Sequence, residues 1–161
     1  MKKHLSVFGI GPVYAALVVS LSLAGLVAAS LGWLAPGDVP GAAIPMTIAG
    51  VVLVLLGVGM GLSAHVTSRL FEQVRQNQLV TTGIYAWVRN PVYSGWMIAA
   101  AGVLLMAHNL WLLLLPVLFW AMMKPMLACT EEKWLLALYG EPYAAYCRRV
   151  NRCIPWFPAR R

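Results

Sequence analysis

The chain has 161 residues, of which 61% are hydrophobic and only 11% are charged, and its mean hydropathy is +0.75. Too little of the sequence is polar to cover a soluble core of that apolarity, so the composition excludes an ordinary soluble domain and predicts one integral membrane domain over residues 1–161. The formal net charge is +7. Basic and aromatic residues do not interleave on a polar surface, which argues against nucleic-acid binding.

Two uncharged runs at the start of the chain each have the length of one membrane helix. They extend from Leu5 to Gly37 and from Val39 to Ala64, and a helix crosses the bilayer with about 20 mostly apolar residues. We therefore expect two membrane helices within residues 1–64. The second contains "GVGMG", starting at Gly57, whose Gly-x-x-x-Gly spacing suits close helix contact.

A third uncharged run, from Asn90 to Met123, is too long for one crossing. As a single helix it would extend about 51 Å, against a hydrocarbon core of about 30 Å. We expect it to break at His108-Asn109 into a short hairpin of two helices, near Val92–Ala107 and Leu110–Met126. The predicted fold is all-α, with four transmembrane helices followed by cytoplasmic C-terminal helices.

The positive charges predict which side of the membrane each connection occupies. Lysines and arginines are confined to the N-terminus, to the segment between the second and third helices, and to the chain from Lys124 onward. The other two connections contain none. By the positive-inside rule, both termini and the central segment are cytoplasmic, which requires an even number of crossings.

Cysteine and histidine spacing gives no indication of a metal site. There is no Cys-x-x-Cys pair, and the histidines lack the spacing of metal ligands. We expect reduced thiols and structural histidines at all six positions: Cys129, Cys147, Cys153, His4, His65 and His108.

Two stretches of the second half carry a resemblance to a known family. They are "NQLVTTGIYAWVRNPVYSGW", which begins at Asn77, and "TEEKWLLALYGEPYAAYCRRVNRCIPWF", which ends at Phe157. Their order of motifs resembles the isoprenylcysteine carboxyl methyltransferase family and, more loosely, the related membrane phospholipid methyltransferases. These motifs are Leu-Val-x-x-Gly-x-Tyr, Arg-(His or Asn)-Pro-x-Tyr, a helical hairpin, a Glu-Glu pair and Tyr-Gly-Glu-x-Tyr. Each motif is weak alone, and the combination is specific.

The resemblance implies an integral membrane enzyme that transfers a methyl group from S-adenosyl-L-methionine to a lipophilic acceptor from the bilayer. It also implies a cytoplasmic cofactor pocket, built by the segment before the hairpin and closed by the C-terminal helices, in residues 65–161. Carried over onto this sequence, the cofactor contacts are Asn77, Gln78, Leu79, Val80, Tyr85, Asn90, Pro91, Val92, Tyr93 and Glu131. The implied catalytic residues are Tyr93, Glu132 and Arg89.

These residue types suit the ligand, but each also has a simpler interpretation. Carboxylates and tyrosine faces suit the cationic groups of the cofactor. Arg89 could instead be only a membrane-side anchor, the tyrosines interfacial aromatics, and the two glutamates favourable charges at the start of a helix.

Two departures from the family pattern leave the acceptor open. Asn90 stands where many members have His, which removes a titrating group. Leu127 stands where the eukaryotic prenylcysteine enzymes carry a substrate-binding Arg, and Lys124, one helical turn away, is the candidate replacement. The missing Arg favours an amine, thiol or phenol head over a carboxylate. The alternatives are a phospholipid or small-molecule methyltransferase, and a non-catalytic lipid-binding or accessory membrane protein.

Small residues on the third predicted helix suggest where the acceptor lies. We expect its acyl or prenyl chain to lie against this helix at Ser94, Gly95, Ala99 and Gly102.

Overall fold

The computed structural model describes residues 9–66 and 78–155, and every regular element in these two ranges is helical. The long helices are α1 (Gly11–Ser30), α2 (Ala43–Val66), α3 (Pro91–Leu105) and α4 (Leu114–Cys129). Two short helices follow, α5 (Glu131–Tyr139) and α6 (Glu141–Arg149), and 3₁₀ turns occupy Gly83–Ala86 and Leu110–Leu113. The prediction of an all-helical chain is therefore confirmed for the described residues.

Three helical segments in the described ranges are long and apolar enough to cross a membrane. They are Gly11–Ser30, Ala43–Ala64 and Leu110–Tyr139, while Pro91–Leu105 is apolar but shorter. Many of their leucine, valine and isoleucine side chains point outward and are exposed, as is usual where a helix faces lipid. The chain is an integral membrane protein.

The long uncharged run breaks at the residues where the sequence predicted a break. Helix α3 ends at Leu105, and His108 adopts a left-handed backbone conformation with φ of 57°. The side chain of Asn109 then accepts a hydrogen bond of 3.0 Å from the backbone N–H of Trp111. This cap satisfies a free donor at the start of the next 3₁₀ turn.

The apolar core lies between α1, α3 and α4. Tyr14 and Val18 of α1 pack in one buried cluster with Leu104 of α3 and with Phe119 and Met123 of α4. The hydroxyl of Tyr14 donates to the carbonyl oxygen of Phe119 at 3.3 Å. Without that bond the hydroxyl would be a buried donor with no partner, which is costly in an apolar interior.

Helices α2 and α3 pack backbone to backbone through glycines. A Cβ placed on Gly95 would lie 2.7 Å from the carbonyl oxygen of Gly57, and one placed on Gly102 would lie 2.8 Å from the backbone nitrogen of Val54. The predicted helix contact at Gly57 is therefore present, whereas a Cβ on Gly59 would meet open space.

This packing contradicts the expectation that small residues of α3 cradle an acceptor chain. The backbone of α2 already packs against α3 at Gly95, Ala99 and Gly102. For example, a Cβ on Gly57 would come within 3 Å of the Ala99 nitrogen. Ser94 is fully buried and donates to a backbone carbonyl of the C-terminal segment. The glycines serve helix packing, so any acceptor chain must lie elsewhere.

Hydrogen bonds identify which helix ends meet. At one end of the bundle, the Leu110 N–H donates to the Gly37 carbonyl at 3.1 Å, and Thr47 Oγ1 lies 2.8 Å from His108 Nε2. At the other end, the Ile10 N–H donates to Glu131 Oε1 at 2.9 Å. The Tyr93 hydroxyl donates to the same carboxylate, so the starts of α1, α3 and α5 come together at this end.

Candidate functional site

The chain after α6 folds back over the start of α3. Three donors there bond to three successive carbonyl oxygens of residues 151–153: Arg89 N–H to Asn151 at 2.8 Å, Asn90 Nδ2 to Arg152 at 2.9 Å, and Ser94 Oγ to Cys153 at 2.5 Å. Burial raises the pKa of the Cys153 thiol to about 11, so this thiol is neutral at physiological pH. Residues 151–153 are thus bound to two residues of the Arg-Asn-Pro motif and to Ser94.

Glu131 and Tyr93 form the first group of the site. Glu131 Oε1 accepts hydrogen bonds from the Tyr93 hydroxyl and from the Ile10 N–H. Burial and the negative charge of Glu131 raise the pKa of Tyr85, a third predicted cofactor residue. Gly9, with φ of 48°, passes so close to Glu131 that no side chain would fit there.

Glu132 is at the centre of a second group, formed with two arginines. Arg152 donates from Nε to Glu132 Oε1 and from Nη2 to Oε2, both at 2.7 Å, and Arg89 Nη1 lies 3.1 Å from Oε1. The side chains of Arg89 and Glu132 are only 10% and 14% exposed. The hydrogen bond to Glu132 is the main cause that raises the pKa of Arg152. With both oxygens engaged by guanidinium groups, Glu132 is better suited to hold the C-terminal segment than to accept a proton.

Arg89 makes a further contact and also has a buried donor without a partner in the described part of the chain. Its Nη1 also donates to the Cys147 sulfur at 2.6 Å. Its Nε is buried and has no hydrogen-bond partner among the described residues. A buried donor without a partner costs free energy, which marks this atom for an explanation.

A pocket of about 370 Å³ opens beside this second group, between the end of α4, α5 and α6. Its lining residues are Arg89, Ala128, Glu132, Lys133, Leu136, Tyr143, Ala144, Cys147 and Arg152. Two of the three predicted catalytic residues, Arg89 and Glu132, are therefore in its wall. The residues predicted to contact the cofactor are not among its lining.

Those predicted cofactor residues have different environments. Leu79 packs against a buried cluster of Tyr143, Tyr146 and Val150, and Val80 is itself buried. Tyr85 is held through its carbonyl oxygen, which accepts from the Tyr146 hydroxyl at 2.6 Å.

The other predicted cofactor residues range from buried to exposed. Pro91 is buried at the first position of α3, Val92 is half-buried and Gln78 is exposed. Asn77 lies outside the described residues.

Sequence reasoning missed the part that the C-terminal segment plays. Neither Arg152 nor Lys133 was assigned a role, although the sequence shows both as cations after the hairpin. Leu127 is fully buried in the core, and Lys124 is exposed and does not line the pocket. The pocket's positive charge therefore comes from Arg89, Lys133 and Arg152.

The chain matches the sequence model of one family, described as "Phospholipid methyltransferase", over residues 43–142. Similar curated proteins are named protein-S-isoprenylcysteine O-methyltransferase. The one from Schizosaccharomyces pombe is 35% identical over 85 residues, covering 52% of this chain and 36% of the relative. The Saccharomyces cerevisiae protein is 30% identical over 118 residues, covering 68% of this chain and 49% of the relative. The human protein is 29% identical over 119 residues, covering 69% of this chain and 42% of the relative.

The aligned part is thus less than half the length of these three relatives. A search of solved structures gave no significant match. The family match covers more than half of the chain and includes the first motif stretch from Gln78 to Trp96 and the Glu131-Glu132 pair. The family predicted from the sequence is confirmed: the chain belongs to the phospholipid methyltransferase family and is similar within it to the isoprenylcysteine carboxyl methyltransferases.

Proposed function

We propose that this chain is a membrane methyltransferase that uses S-adenosyl-L-methionine and acts on a lipophilic acceptor. The observation that carries the proposal is the contact between Tyr93 and Glu131, which brings the two motif stretches together although these residues are 38 positions apart. We expect the two motifs to meet at one end of the helix bundle if they form a single binding site. The names of the relatives support methyl transfer as the activity.

The residues present fit S-adenosyl-L-methionine. When bound, this cofactor supplies a methyl group already activated by a sulfonium. The Glu131 carboxylate, with Tyr85 and Tyr93 beside it, suits the cationic ammonium and sulfonium groups. Leu79, which is only partly buried, is the apolar side chain of this segment that can contact adenine.

The protein's own contribution to the reaction would be positioning and exclusion of water. Tyr93 orients the Glu131 carboxylate through its hydrogen bond. The Glu132–Arg152 contact holds the C-terminal segment over the site. Because the methyl donor is already reactive, alignment and a dry environment can supply most of the acceleration. We therefore assign Glu132 a positioning role rather than that of a proton acceptor.

An S-isoprenylcysteine is the first candidate acceptor, since it appears in the names of the relatives. Exposed indole rings lie one helical turn after each of the two bonded site residues: Trp96 follows Tyr93, and Trp134 follows Glu131. Residues three apart share a helix face, so these rings offer an apolar surface next to the site. A phospholipid is the second candidate, which the description of the matching family favours.

We also propose four crossings, with α3 and α4 as a short hairpin and both termini cytoplasmic. The distribution of lysine and arginine supports this topology, and so does the contact of Ile10 with Glu131, which joins the start of α1 to the end reached by α4. Reporter fusions after Arg161 and within residues 69–89 should both report cytoplasm. A C-terminus on the opposite side would contradict the proposal.

The function is tested by offering purified full-length chain methyl-labelled S-adenosyl-L-methionine with each acceptor in turn. We expect N-acetyl-S-farnesylcysteine to be labelled and free N-acetylcysteine to remain unlabelled. Labelling of phosphatidylethanolamine instead would select the second candidate. If no lipophilic acceptor is labelled, while the chain is folded by circular dichroism, the proposal is wrong.

A further inference from the structure

The pocket between α4, α5 and α6 has an unbalanced charge. Three cationic side chains line it, those of Arg89, Lys133 and Arg152, against the single carboxylate of Glu132. The remaining lining residues are uncharged apolar, tyrosine or cysteine side chains. Glu132 compensates one positive charge through its contacts with the two arginines. The wall of the pocket therefore keeps an excess of two positive charges.

A specific donor accompanies this charge. The Arg89 side chain is 10% exposed, and its buried Nε–H has no hydrogen-bond partner among the described residues. The Nη1 atom of the same group already bonds Glu132 and Cys147. An arginine held by such contacts keeps its guanidinium group in a fixed orientation in the pocket wall, which favours recognition of a planar or tetrahedral oxyanion.

The pocket also has an apolar side. Leu136, Ala128 and Ala144 line it together with the charged groups, and the Leu136 side chain is exposed. A pocket lined by both cationic and apolar side chains matches an amphiphile with a negatively charged head. Basic pockets of this kind near a membrane surface bind anionic lipid head groups.

We propose that this pocket binds the oxyanion of an amphiphile, with Arg89, Lys133 and Arg152 as the binding residues. The oxyanion can be a carboxylate, as on an acidic methyl acceptor, or the phosphate of an anionic lipid. The carboxylate arm rests on the proposed function, whereas the test measures binding without a methyl donor, so that failure of the one is distinguishable from failure of the other. It also replaces the sequence-based candidate Lys124, which lies outside the pocket.

The test measures binding to purified full-length chain by microscale thermophoresis, without any methyl donor. The probes form two matched pairs: N-dodecanoylglycine with its methyl ester, and dioleoyl phosphatidic acid with dioleoyl phosphatidylcholine. We expect at least one anionic probe to bind about tenfold more tightly than its neutral partner, a difference of about 1.4 kcal/mol. Preference for N-dodecanoylglycine alone identifies the carboxylate as the source, and preference for phosphatidic acid alone identifies the lipid phosphate.

Variants then assign the binding to this pocket. Lys133→Gln removes an exposed cation from the pocket wall and should lower the affinity for the preferred anionic probe about threefold. Arg89→Lys keeps the positive charge but removes the guanidinium group with its Nε, and it should lower the affinity for the same probe about tenfold. Arg149→Gln removes an exposed cation that does not line the pocket, and it should bind like the wild type.

Two results would overturn the proposal. One is equal binding of anionic and neutral probes in both pairs. The other is an equal effect of Lys133→Gln and Arg149→Gln, which would mean that the anion responds only to overall charge. If Arg89→Lys does not fold, the comparison of these two surface variants still decides the matter.

Discussion

Arg152 donates two hydrogen bonds to Glu132, one to each carboxylate oxygen, and both are 2.7 Å long. This two-point contact joins the start of α5 to the segment after α6. The same segment also receives three hydrogen bonds from residues at the start of α3. It therefore links the start of α3 to the start of α5.

Breaking this ion pair should destabilise the folded site. Arg152→Gln leaves the largely buried Glu132 carboxylate with only Arg89 as a charged partner, and we expect a loss of about 1.5–3 kcal/mol, the range for hydrogen bonds to charged groups. The thermal midpoint in detergent, followed by circular dichroism, measures the effect. The matched control is Arg148→Gln, since Arg148 pairs with Glu141 where both side chains are largely exposed. Exposed pairs contribute little, so equal midpoints for the two variants would contradict the argument.

Removing the Tyr93 hydroxyl should weaken binding of the methyl donor. Tyr93→Phe deletes the hydrogen bond that orients Glu131, and Glu131→Gln deletes the negative charge itself. We expect each to cost about 1–3 kcal/mol of binding free energy, measured by calorimetry with S-adenosyl-L-methionine. Tyr139→Phe removes a hydroxyl elsewhere on α5 and should leave the affinity unchanged. Unchanged affinity in the Tyr93 and Glu131 variants would return both residues to a purely structural role.

Asn90 should tolerate His better than Leu. Its Nδ2 donates to the Arg152 carbonyl at 2.9 Å, and a histidine ring can supply an N–H donor in its place, whereas leucine cannot. Leaving that carbonyl without a partner should cost about 1 kcal/mol or more, so Asn90→Leu should have the lower thermal midpoint. Equal midpoints for Asn90→His and Asn90→Leu would show that this bond contributes nothing to stability.

The glycines of α3 should prove to be packing residues. Gly95→Ala and Gly102→Ala place a Cβ against the α2 backbone, where nothing flexible can move aside, so both should lower the thermal midpoint. Gly59→Ala is the matched control because its Cβ would meet open space. If Gly95→Ala folds as stably as Gly59→Ala, then α2 and α3 are not in close contact.

Much of the fold followed from hydropathy, because long uncharged runs have few ways to satisfy their backbone except as helices. The bend at His108-Asn109 was predictable from the length of the third run. The face on which Gly95 and Gly102 pack was not, since an apolar helix shows almost no difference between a lipid face and a helix face. Small residues suit both a ligand groove and a helix contact, and only the structure distinguishes the two.

The sequence motifs predicted those site residues that belong to the motifs themselves. The contact between Tyr93 and Glu131 joins two residues that the family resemblance had already selected. Arg152 was missed because its position depends on the chain folding back after α6, and no local spacing encodes that return. Lys133 was missed for a related reason, since an exposed cation near a helix start is usually only solvated.

The central claim is that the end of the bundle containing Glu131 binds a methyl donor and serves methyl transfer to a lipophilic acceptor. The most direct test incubates purified full-length chain with methyl-labelled S-adenosyl-L-methionine and host membrane lipids supplemented with N-acetyl-S-farnesylcysteine, and then identifies the labelled product. Glu131→Gln is compared with Glu141→Gln, which changes an exposed glutamate of α6. We predict label in an organic-soluble product for the wild type and for Glu141→Gln, and a loss of at least about tenfold for Glu131→Gln, equivalent to about 1.4 kcal/mol. Equal labelling by both variants, or label only in water-soluble material, would contradict the claim.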